Sequence, residues 1–156
     1  MSESDFQNVA EFTAAVMGLI ALIRACVTGG LPLPEAVIFK GDSISALTWL
    51  DKVKHRGNYA FGASTLLNLI VARYKIQIVG TEFIEGSKNN ETDSMSRGTH
   101  SCACFGDNHV KDLALDSNEF VQKALKLCNP TLVDFHVANF ETFWNDANKL
   151  VISLTT

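Results

Sequence analysis

The sequence has no excess of positive charge: its 156 residues carry 13 lysines and arginines against 17 aspartates and glutamates, a net charge of −4. No global basic field marks it as a nucleic-acid binder. Cysteine is scarce. Four thiols in a chain of this length fall short of the density of a small disulfide-stapled secreted domain. A reduced, intracellular setting in cytoplasm or nucleus is therefore expected. Long hydrophobic runs are missing as well. The longest uncharged apolar stretch, Phe12 to Ile23, lies between Glu11 and Arg24 and is shorter than the ~20 residues of a membrane span. Glu3 and Asp5 are acidic where a secretory signal would be basic. The chain reads as a soluble protein with no membrane partner. It has no internal repeat and no low-complexity tract. What it does have is 47% hydrophobic against 19% charged residues, enough for one packed core and too apolar for a disordered tether.

Charge is unevenly placed. Residues 1–36 hold one base and four acids, residues 37–97 eight bases and six acids, and residues 98–156 four bases and seven acids. Any phosphate-binding surface is expected in the middle segment.

Asn8 to Cys26 carries Phe12, Ala15, Val16, Leu19, Ile20, Leu22 and Ile23 at helical spacing, and Gly29, Gly30, Pro32 and Pro34 end it. Ala36 to Phe39 is a short apolar run that predicts a buried strand. Ser43 to Lys54 returns to the helical pattern through Ile44, Leu47, Trp49 and Leu50. Gly57-Asn58 and Gly62 predict a loop, and Ser64 to Tyr74 another helix. Ile76 to Val79 and Glu82 to Ile84 read as one strand kinked at Gly80. A polar turn at Gly86 to Asn90 and a short helix over Glu91 to Arg97 follow. Residues 98–117 read as irregular. Glu119 to Leu127 and Leu132 to Leu154 read as helical, broken by Pro130. This order predicts an α/β layer with a parallel strand pair and flanking helices over residues 1–97. An irregular linker over 98–117 and a helical C-terminal extension over 118–156 complete the division.

Three acids fall at corresponding places in this layout. Glu11 lies near the start of the first helix, Asp42 follows the first strand, and Asp93 opens the short helix after the second. Ligands of open α/β sheets bind beyond the carboxyl ends of the strands, and clustered carboxylates suit hard divalent cations such as Mg²⁺. Each acid also has a plain structural reading. Asn8 and Glu11 have the spacing of a capping box. Asp42 suits the N-cap of the helix after it, and Asp93 the positive end of a short helix.

Taken together, Asn8-x-x-Glu11-(x)₃-Ala15, the strand followed by Asp42-Ser43 and a helix bearing Trp49, and Gly86-Ser87-Lys88-Asn89-Asn90-Glu91-Thr92-Asp93-Ser94-Met95-Ser96-Arg97 resemble a known pattern. It is that of ribonuclease H type 1, in the version fused to retroelement reverse transcriptases. The last segment is similar to the retroelement signature Pro-Gly-x-x-Asn-x-x-Ala-Asp-x-Leu-Ser-Arg, and the resemblance covers about residues 7–97. It implies that Glu11, Asp42 and Asp93 coordinate two Mg²⁺ or Mn²⁺ ions that cut the RNA strand of an RNA–DNA hybrid. It also implies that Asn8 touches the hybrid near its minor groove. The family fold begins with three antiparallel strands, the first bearing another metal-binding Asp. Here Asp5 sits in no strand-like context. The expectation is thus an N-terminally truncated domain with little or no hydrolysis alone, which is inactive or needs a missing upstream polyprotein segment in trans. Its first strand would show an unpaired edge and a bare sheet face. No His occurs within residues 76–92, where many family members have one.

Other candidates have bland readings beside them. His100, Cys102, Cys104 and His109, with Cys128 and His136 further on, match no standard zinc spacing and read as incidental or buried thiols and imidazoles. Lys52, Lys54, His55 and Arg56 suit the negative end of a helix; Lys54 and Arg56 are the candidates there for phosphate contact. Phe135, Phe140, Phe143 and Trp144 read as one helix face packed on a core. Asn90-Glu91-Thr92 fits a glycosylation pattern that an intracellular chain leaves unmodified. Two rivals stand against the nuclease-like reading. One is a non-catalytic protein-interaction domain whose acids only cap helices and whose aromatic C-terminal helices bind a partner. The other is a chain that does not fold stably.

Overall fold

The computed structural model describes residues 3–52, 60–85, 119–128 and 137–156. Among them are five helices and one two-stranded sheet, so the fold is mixed α/β. The first helix, α1, runs from Glu3 to Thr28. Phe12, Val16, Leu19, Ile20 and Ile23 form its buried stripe, at the spacing of one helical face. It stops where Gly29-Gly30 demands. Gly30 takes φ +66; its N–H bonds to the Val27 carbonyl at 3.2 Å, and the Leu31 N–H to the Cys26 carbonyl at 2.8 Å. That pair is a Schellman closure, which glycine enters without a Cβ clash.

The start of α1 departs from the sequence reading. The helix begins five residues before Asn8, so Asn8 and Glu11 lie inside it and form no capping box. This added length also changes the hydropathy reading. With only Glu11 and Arg24 as charges, Phe6–Thr28 is long and apolar enough to cross a membrane by length and composition. A third of its most apolar window is buried inside the protein, and the helix lies near the N-terminus.

Strand β1 (Ala36–Gly41) pairs in parallel with β2 (Gln77–Phe83). Helices α2 (Ile44–Lys52) and α3 (Phe61–Tyr74) make the crossover, as parallel strands require. β2 is a single strand, as expected, and its irregularity falls by Gly80: the register shifts between Val37 and Ile38, so that Ile38 pairs with Gly80. The expectation of a buried strand fails. β1 alternates exposed and half-buried residues, because α2 covers one face of the sheet while among the described residues the other is left exposed. Ile38, Val79 and Phe83 are half or more exposed, with Lys40 bridged to Glu82 at 3.5 Å between them.

Gly62 is a third correction. It is no loop residue but sits in the first turn of α3. A Cβ there would run into the Leu127 carbonyl and lie 3.1 Å from Cys128 Cα. Glycine at this position lets α3 approach the end of α4 (Glu119–Cys128).

Helix α4 and helix α5 (Val137–Ser153) pack into the same core as α1. Ala124, Cys128, Ala147, Leu150, Val151 and Leu154 join Phe12, Ile20, Leu66, Leu67 and Ile70 in one buried cluster. Tyr74 donates its hydroxyl proton to the Val151 carbonyl. Phe61 packs against Phe140 and Phe143, with ring centroids 5.9 and 5.7 Å away. Phe143 is buried, whereas Phe140 and Trp144 stay partly exposed and stack on each other. The short helix over 91–97, the irregular segment 98–117, Pro130, Phe135 and His136 lie outside the described residues.

Candidate functional site

A groove of about 780 Å³ runs between α1 and β1 and reaches the start of α2. Both Glu11, half-buried on α1, and Asp42, exposed just past the carboxyl end of β1, line it. Two elements bring these acids to the same groove. α1 lies along α2, and Phe12, next to Glu11 in sequence, sets its ring edge-on to Trp49 of α2 at 5.6 Å between centroids. Asp42 is held by the turn from β1 into α2. In parallel sheets this end of a strand is the usual ligand position.

The cap of α2 is Ser43, its hydroxyl accepting the Ala46 N–H at 3.3 Å. Asp42, one residue earlier, is left to the groove. Glu11 sits in the third turn of α1, too deep to meet the orphan N–H groups of a helix start. Asn8 lies one turn before Glu11 and is half-buried.

Two carboxylates in one groove offer hard oxygen donors, and Mg²⁺ is commonly held by one or two carboxylates together with phosphate oxygens of a substrate. Glu11 and Asp42 fit such an ion in chemistry and number. Asp93, the third expected ligand, and Lys54 and Arg56, the expected phosphate contacts, lie outside the described residues. Among the described residues no group of three or more His, Cys, Asp or Glu side chains is placed to hold a metal. His100, Cys102, Cys104 and His109 are also outside them. Cys128 is buried and reduced, and burial pushes its thiol up from 9.0 to about 12, the mark of an inert core cysteine.

Sequence reasoning missed the wall opposite β1. Ala10, Ala14 and Gly18 succeed one another along the exposed side of α1 and line the groove. Their spacing of four was legible, but nothing in it distinguishes an open groove from a packed helix seam. No protein-family model, curated protein or solved structure matches this chain.

Proposed function

We propose that this chain is an intracellular ribonuclease H type 1-like domain of retroelement origin, of a family that acts on RNA–DNA hybrids through divalent cations, and that it hydrolyses them little or not at all alone. The observation that carries this reading is the shared groove of Glu11 and Asp42. The parallel pairing of β1 and β2 agrees with it. Parallel pairing puts the carboxyl ends of both strands on one side, and Asp93 follows β2 by ten residues in sequence.

In the proposed site Glu11 and Asp42 hold the cation, with Asp93 as the third ligand. A bound pair of Mg²⁺ or Mn²⁺ ions supplies activation of water and stabilisation of the departing oxygen. Asn8, a turn from Glu11, is assigned the contact to the hybrid. Lys54 and Arg56 follow α2 in sequence and supply the phosphate contacts.

The experiment is binding and cleavage of an end-labelled RNA–DNA hybrid in Mn²⁺, with a DNA duplex of the same sequence as competitor. Preference for the hybrid that is lost with Asp42→Asn and Glu11→Gln supports the proposal. Equal affinity for both duplexes, unchanged by either substitution, overturns it.

A further inference from the structure

We propose that the groove between α4 and α5 is a binding site for a small amphipathic monoanion, a carboxylate carried on an aliphatic or aromatic body. The groove has a volume of about 660 Å³, within the range of small-molecule sites. Its apolar lining comes from Leu127 of α4 and from Phe143 and Leu150 of α5. Leu150 belongs to the core cluster and Leu127 packs against it, while Phe143 is buried as well. The floor of the groove is thus the outer layer of the hydrophobic core. Three lysines also line it, Lys123 and Lys126 from α4 and Lys149 from α5, and all three are exposed.

Charge selects the occupant. Residues 98–156 hold only four bases against seven acids, yet three of those bases and one of those acids, Asp146, line this groove. Lys123 is bridged to Glu119 at 2.9 Å. Lys126 and Lys149 have no ion pair among the described residues. Two unpaired ammonium groups against one carboxylate leave a single positive charge, which fits a monoanion. Each lysine offers an apolar stem below its charged head, so the same side chains can meet both the body of the ligand and its carboxylate. A neutral apolar molecule leaves the ammonium groups unused, and an inorganic anion or a phosphate backbone leaves the floor unused. The groove shares no lining residue with that of Glu11 and Asp42, and the inference does not rest on the nuclease-like reading.

The test titrates the full chain, ¹⁵N-labelled, with octanoate, and in parallel with octanamide and with acetate. Octanoate should bind saturably and shift the amides of Lys126, Leu127, Asp146 and Lys149 most. Octanamide, which lacks the charge, and acetate, which lacks the chain, should each bind roughly tenfold more weakly. Lys126→Gln combined with Lys149→Gln should keep cooperative unfolding and weaken octanoate roughly tenfold. Asp146→Asn removes the opposing charge and should tighten it about threefold. Four results would overturn the proposal: no saturable binding of octanoate, equal binding of octanamide, shifts centred outside α4 and α5, or displacement of octanoate by an RNA–DNA hybrid, which would give the lysines to phosphate. The octanamide comparison needs no variant, so it holds even if the double variant does not fold.

Discussion

Arg24 donates a guanidinium hydrogen bond to the Leu154 carbonyl at 2.7 Å, joining α1 to the end of α5 across 130 residues of chain. The same guanidinium lies 4.3 Å from the centre of the Phe120 ring on α4. One side chain thus ties the first helix to the last two. Arg24→Met keeps the aliphatic stem and removes both contacts. It should destabilise the protein by about 2 kcal/mol, from a charged hydrogen bond and a cation–π contact together. Urea unfolding measures this; a loss below about 0.5 kcal/mol would mean that the C-terminal helices are held by apolar packing alone.

Gly62 and Gly18 are both helical glycines with opposite expected responses. At Gly62 a methyl group would collide with the Leu127 main chain, so Gly62→Ala should cost about 3 kcal/mol, the upper range for overpacking. At Gly18 the space is open, and Gly18→Ala should stabilise by about 0.5–1 kcal/mol through helix propensity. Thermal unfolding of the two variants side by side checks both signs.

Cys128 sets a pH dependence. The unfolded chain releases the thiol proton near 9.0, while the folded chain holds it to about 12. The folded state binds more protons in that window, so the contribution is complete below pH 9 and is lost as pH rises towards 12. Denaturant midpoints measured across this range should fall more steeply for the native chain than for Cys128→Ala. Alkylation at neutral pH followed by mass spectrometry should leave Cys26 and Cys128, both buried, unmodified until the protein is unfolded.

How much of this was legible in the sequence differs by element. The apolar stripe of α1 and its stop at Gly29-Gly30 were readable because both are local: a 3.6-residue period and a left-handed glycine. The start was misplaced because Asn8 and Glu11 imitate a capping box, while Glu3 to Gln7 continue the helix with almost no apolar signal. Asp42 and Ser43 are both good cap residues, and only the turn geometry decides that Ser43 takes the role and Asp42 the groove. Gly62 looked like a loop because its true reason is a close approach to Leu127, 65 positions along the chain. The burial of β1 was overread since an apolar run does not reveal how many faces a sheet will cover. The helical pattern of residues 119–154 was clear, but its place in the common core depends on long-range contacts such as Arg24 with Leu154. Of the candidate site, Glu11 and Asp42 stood out in the sequence, and the groove they share was not legible there.

The central claim is that Glu11 and Asp42 converge on a cation site, and thermal unfolding with and without Mn²⁺ tests it most directly. A cation at 100 times its Kd adds about 2.7 kcal/mol, which for a domain of this size is a rise of roughly 5–10 °C. The account predicts such a rise in the native chain and its loss in Asp42→Asn, with both proteins unfolding cooperatively. An unchanged transition in a cooperatively unfolding native chain, across millimolar Mn²⁺, would contradict it.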